Sequence, residues 1–261
     1  MTPIVLTTAE VTSWLGGFFW PLVRISAMFV LTPVIGARYV PMRIRIAIAV
    51  IITLVIMPTL QPVPAVEPWS ADGVLITAKQ LLIGIGMGLL LQFIFAAVTV
   101  AGMAISTSMG LGMAMMTDPQ NGANVPVIGQ FLGIMAGLLF LVFNGHLALI
   151  KLISVSFSFM PIGTEGPGLA GYKLIIDASS VIFMAAISLA LPAIMTLLSI
   201  NILLGVMTRV SPQMNIFSIG LPLTLFVGLI ILTVTLPVLA PTFDRLMQES
   251  FVNMRAYVGA P

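Results

Sequence analysis

From Gln80 to Thr117 the chain carries no charged residue, a run of 38 positions. A soluble domain rarely tolerates such a run, because a solvent-facing helix needs a polar face. The last part of it, Gly102 to Thr117, is not a plain lipid anchor, being rich in glycine, hydroxyls and methionine. Such a stretch packs against protein or lines a passage. It points to a channel or a multi-subunit membrane assembly.

Composition agrees. The 261 residues are 59% hydrophobic and 7% charged, with mean hydropathy +1.18, which is the membrane class. No charged, polar stretch exceeds a loop, which leaves no room for a separate soluble domain. The fold class is therefore an all-α integral membrane protein built of kinked helical hairpins. Cysteine is absent, which excludes disulfides, thiol catalysis and thiolate metal sites. The ten basic residues are scattered and give no footprint for nucleic acid. Glu10 sits where a signal peptide would carry Lys or Arg, so the first apolar segment is read as retained.

Six apolar blocks emerge, at about 11–35, 44–60, 74–108, 127–160, 174–208 and 216–243. A spanning helix needs ~20 apolar residues, so the second block is marginal and the third is far too long for one upright span. Pro33, Pro58, Pro192, Pro222 and Pro237 lie in or beside blocks and predict kinks. The connections sort by charge. Arg38, Arg43, Arg45 and Arg209 mark two basic connections, while Glu67, Asp72 and Glu165 mark acidic ones. The basic ones are expected in the cytoplasm. Alternation then puts both termini outside and the Asp118 loop inside. The mixed-charge tail, 244–261, predicts a short surface helix.

Small residues recur at helical intervals. Gly129, Gly133 and Gly137 form a double GxxxG, Gly84 and Gly88 another, and Gly102, Ser106 and Gly110 repeat the interval. Such residues share one helix face and let backbones approach. The plainer alternative is that glycine is simply common in membrane helices.

Met103, Met109, Met113, Met115 and Met116 crowd one segment. Methionine fills irregular gaps and repacks around different neighbours. On spacing alone this is ordinary core packing, with a deformable channel seal as the functional alternative. Asp118-Pro119 and Asn121-Gly122 are turn dipeptides. The polar loop they form reads either as a surface turn or as a re-entrant plug. A second polar loop, with Arg209, Pro212, Gln213, Met214 and Asn215, reads as a hairpin tip with a basic anchor. Arg24 lies inside the first block, where a charge faces protein or water. The lone His146 reads as structural. There is no HExxH, GxSxG or phosphate loop, so the chain is not read as an enzyme and no cofactor is expected.

The order of these motifs resembles the FliR family of flagellar biosynthetic proteins. The matching residues begin with Arg24 and Pro33–Arg45. They continue through Gly88-Leu-Leu-Leu-Gln92, Met109-Gly-Leu-Gly-Met113, Asp118-Pro119-Gln120, Pro126 and Phe140–His146, then Ser156-Phe157 and Pro161. Last come Asn201, Leu204-Gly205, Arg209, Pro212–Phe217 and Gly220-Leu-Pro222. The resemblance spans nearly the whole chain.

The resemblance implies a subunit of the flagellar type III protein export gate in the bacterial inner membrane, at the basal body. FliR-like subunits assemble with FliP-like and FliQ-like subunits into a helical channel for unfolded flagellar proteins. The chain would be one FliR-like domain, with a FliP-like part at about 1–170 and a FliQ-like hairpin and tail at about 171–261. By the same resemblance Met109, Gly110, Leu111, Gly112, Met113, Met115, Met116 and Asp118 form a channel plug. Gly84, Gly88, Gly129, Gly133 and Gly137 pack helices. The tip at Arg209 and Pro212–Asn215 faces FlhB-like and FlhA-like subunits. Membrane lipid and unfolded export substrates complete the expected partners, and no nucleic acid is among them. The rival readings are the equivalent subunit of a virulence type III secretion system and, from another class, a secondary transporter.

Overall fold

The computed structural model describes residues 8–37, 40–112, 115–117, 124–210 and 216–260. Eight α-helices are described: α1 (Thr8–Leu31), α2 (Met42–Ile56), α3 (Ala71–Ser108), α4 (Val127–Val142), α5 (Gly145–Phe159), α6 (Leu169–Ala178), α7 (Val181–Val210) and α8 (Ile216–Tyr257). Two three-residue strands, β1 (Met115–Thr117) and β2 (Asn124–Pro126), pair antiparallel with Met116 opposite Val125. The chain is thus an all-helical membrane protein with one short ribbon.

The helices follow the six blocks. Block two is α2 plus a 3-10 turn, together the 18-residue stretch Met42–Thr59, apolar on average although its first turn holds Arg43 and Arg45. Block four is divided into α4 and α5 at Asn144, which adopts the left-handed conformation (φ 55°). Neither half is long enough to span alone, and together they pass for one broken span. Block five begins earlier than its hydropathy predicts, as the separate helix α6, and α7 follows after Ser179 and Ser180. Among the described residues five helical stretches are long and apolar enough to cross a membrane, six with the broken pair.

Two helices are overlong. At 1.5 Å per residue the 38 residues of α3 reach ~57 Å and the 42 of α8 ~63 Å, about twice a ~30 Å hydrocarbon core. The tail is not a separate surface helix, because α8 runs unbroken to Tyr257. The reason is a stripe at helical spacing: Phe243, Met247, Ser250, Met254 and Tyr257 are all buried. Ser250 Oγ donates to Leu90 O at 3.0 Å and Tyr257 Oη to Leu82 O at 3.1 Å, tying the helix end to α3.

The chain divides into two compact units, one of Met1–Gln92, Asn144–Ser179 and Glu249–Pro261, the other of Phe93–Phe143 and Ser180–Gln248. In the first, α1 lies along α3. Trp20, Ile25 and Met28 are fully buried there with Ile83 and Met87, and Trp20 Nε1 donates to Thr77 Oγ1 at 3.2 Å. In the second, Phe95 on α3 meets Phe140 of α4 and Phe243 of α8 edge-on, at centroid distances of 5.9 and 5.5 Å. The α3 span is 61% buried, whereas the α2 span is 17% buried and turns its aliphatic side chains outward.

Candidate functional site

Arg24 is fully buried on α1, and its guanidinium is surrounded by neutral acceptors. Nε donates to Gln80 Oε1 at 2.8 Å. Nη1 reaches Ser156 O and Oγ, both at 3.1 Å, and Nη2 reaches Met160 O at 2.8 Å. The cation also lies 4.2 Å from the centre of the Phe157 ring. No carboxylate among the described residues pairs with it. Its compensation comes from the C-terminal end of α5, whose cap residue is Met160. Terminal helix carbonyls lack partners and carry a partial negative charge of about half a unit. A cation over an aromatic face adds to this. One side chain thereby joins α1, α3 and α5.

The glycines singled out by spacing sit at the helix contacts in two groups. A Cβ on Gly84 would overlap Arg24 O, and one on Gly88 would stand 2.8 Å from Leu31 Cβ, so α3 lies directly on α1 there. In the second unit a Cβ on Gly102 would stand 2.5 Å from Gly129 Cα, and one on Gly129 would stand 3.2 Å from Thr99 O. The α3–α4 contact is therefore backbone on backbone. Gly133 differs, since an added Cβ would meet only Thr99 Oγ1 at 3.7 Å. Gly137 is buried in α4.

The segment that follows α3 is built as a helix stop. Leu111 N–H bonds Ser106 O and Gly110 N–H bonds Thr107 O, with Gly110 at φ +83°. This is a Schellman motif, in which a glycine takes the left-handed position past the helix end. Gly110→Ala is expected to cost about 1–2 kcal/mol, the ordinary penalty for an L side chain in that region. Chemical unfolding followed by helical circular dichroism measures it, and an unchanged midpoint would mean the stop is not under strain.

The expected plug residues do not share one environment. Met109 is fully buried. Thr224 Oγ1 donates to its carbonyl at 3.3 Å, and the Met109 side chain fills the groove over Gly228, where an added Cβ would come within 2.5 Å of it. Gly110 is exposed, and Leu111 and Gly112 are half-buried. Met115 and Met116 lie in β1, which leads by way of β2 back to α4. Met113 and Asp118 fall outside the described residues. At the other loop, Arg209 is exposed in the last turn of α7, while Pro212, Gln213, Met214 and Asn215 fall outside the described residues. Among the described residues no group of three His, Asp or Glu could hold a metal ion.

Spacing does not reveal the carbonyl acceptors around Arg24, because they exist only where α5 ends. A further partner, Gln80, opens the charge-free run and gives no signal beyond being an amide in an apolar helix.

These features define a helical membrane protein with overlong helices, a broken span and an anchored loop after α3. Residues 15–250 match the family described as "Bacterial export proteins, family 1". The chain is 40% identical over 246 residues to "Flagellar biosynthetic protein FliR" of Escherichia coli (strain K12), covering 94% of each chain. It is 33% identical over 248 residues to the protein of the same name in Bacillus subtilis (strain 168), covering 93% of this chain and 95% of that one. The protein of that name in Pectobacterium carotovorum subsp. carotovorum is 40% identical over 242 residues, 93% of this chain and 92% of its own. The chain belongs to this bacterial export family, as a FliR-type member.

Proposed function

We propose that the chain is a subunit of the flagellar type III protein export gate. It completes a helical multi-subunit channel for unfolded flagellar proteins, and its segment after α3 forms part of the closed-state seal. The observation that carries this is the build of 106–126: a glycine stop, a methionine fixed in the core and a short ribbon returning to α4. Met109 is the anchor in this reading, and the residues after Gly110 are the seal. Full-length similarity to proteins named for flagellar biosynthesis supports the setting.

The partners in this reading are FliP-like and FliQ-like subunits in a hetero-oligomer. The first 170 or so residues play the FliP-like part, and the remainder play the FliQ-like hairpin. The exposed apolar faces of α7 and α8, with Phe183, Met195, Ile202 and Phe226 among the outward residues, give such partners and lipid a surface to cover. The Arg209 tip faces the cytoplasm, toward FlhB-like and FlhA-like subunits, in the inner membrane at the basal body.

Co-expression with FliP-like and FliQ-like neighbours, followed by purification in mild detergent, tests the assignment. A defined heteromeric complex is expected. A monodisperse protein that ignores both partners would overturn it and return a transporter to consideration.

A further inference from the structure

The second compact unit holds a cavity of about 140 Å³ between α3, α4, α7 and α8. Its floor is aliphatic and buried: Ile105, Leu132, Leu232 and Leu239. Its rim is exposed and carries Ser188, Pro192 and Val238. Pro192 has no N–H for the carbonyl of Ser188 four residues before it, so the α7 ladder is interrupted at the rim itself.

The chemistry of the walls selects the occupant. Three hydroxyls border the cavity, from Ser188, Thr235 and Thr242, and Thr235 already donates to Ile231 O and Leu232 O of its own helix. A water needs two to four polar partners, and an apolar cavity of ~150 Å³ stays dry while accepting a benzene-sized apolar guest. The buried floor offers aliphatic contacts only, so the group that reaches it is hydrocarbon. The exposed side of the cavity carries Pro192 and Val238, on helices of spanning length whose nearby residues Ile187, Leu191 and Val234 are also exposed and aliphatic. The close backbone approach seen where Gly102 meets Gly129 has no counterpart here. A slender, flexible chain passes between these exposed side chains.

We propose that this cavity binds the end of one hydrocarbon chain of a membrane lipid, which enters between α7 and α8 and reaches Leu132 and Ile105. The site is distinct from the segment after Gly110 and does not depend on what that segment does.

The test uses cells producing the full-length protein and fed a fatty acid with a diazirine on its terminal carbon. After irradiation of the membranes, adducts are mapped by mass spectrometry. Labelling of Ile105, Leu132, Leu232 or Leu239 is expected, although these side chains are shielded from bulk lipid. A diazirine beside the carboxyl end is expected to leave them unlabelled. Val238→Trp at the rim, and independently Leu132→Phe at the floor, are expected to lower floor labelling at least about tenfold, the loss when about two buried methylenes are expelled. Labelling of Ile187 and Val234 should be unchanged. A floor free of adducts beside a labelled Ile187 would overturn the proposal, and is what a partner's side chain seated in the cavity would give. Floor labelling that survives both variants would overturn it as well.

Discussion

Arg24→Met is expected to lower the stability of the detergent-solubilised protein by about 4 kcal/mol, from acceptors left buried at ~1–3 kcal/mol each. The substitution removes the charge, so no buried ion remains. It strands Gln80 Oε1 and Met160 O, and it deprives Ser156 Oγ of its donor. It also withdraws the cation from the end of α5. Arg24→Lys keeps the charge but not the planar fork that serves three residues at once, and about half the loss is expected. Trp20 reports the effect directly. It is fully buried one turn before Arg24 and bonded to Thr77, whereas Trp14 and Trp69 are exposed. Unfolding by an anionic detergent, followed through Trp fluorescence, should begin at lower detergent in both variants. A parental curve for Arg24→Met would remove the guanidinium from the account of this fold.

Gly102→Ala is the second large effect. Its methyl would stand 2.5 Å from Gly129 Cα, 2.8 Å from Gly129 N and 3.0 Å from Ile128 O. All three neighbours are backbone, so no rotamer change relieves the overlap and α4 must move off α3. Overpacking of this kind costs about 1–3 kcal/mol. Gly133→Ala is the matched control, one turn further along α4 than Gly129. Its methyl has ordinary contact only, and replacing a mid-helix glycine gains up to about 1 kcal/mol of helix propensity. The two variants should therefore move the unfolding midpoint in opposite directions. Equal effects would mean that α3 and α4 are not in backbone contact at this level.

The blocks are legible in sequence because hydropathy and length constrain a spanning helix strongly. The break in block four is marked by Asn144-Gly145, a polar dipeptide in an apolar run. Other features depend on distant partners. Arg24 is flagged by its cost in an apolar segment, but its partners come from residues 80 and 156–160, brought together only by folding. Met109 belongs to the same methionine-rich run as Met113 and Met115. Nothing in the period tells a buried methionine from one facing a passage, and the deciding neighbour, Gly228, lies on α8. The tail misleads because Asp244, Arg245, Glu249 and Arg255 draw attention from the buried stripe running between them. The short ribbon has no sequence signal beyond its turn residues, since three-residue strands carry too little alternation to read.

In the proposed function the segment after Gly110 closes a channel. The direct measurement is the ion permeability of membranes containing the assembled complex with residues 110–116 deleted from this chain, read with a potential-sensitive dye. Complex recovery must be matched to the parent. A leak is expected, with membrane potential collapsing in the deletion strain and held in the parent. A fully assembled complex that carries the deletion and stays ion-tight would contradict it.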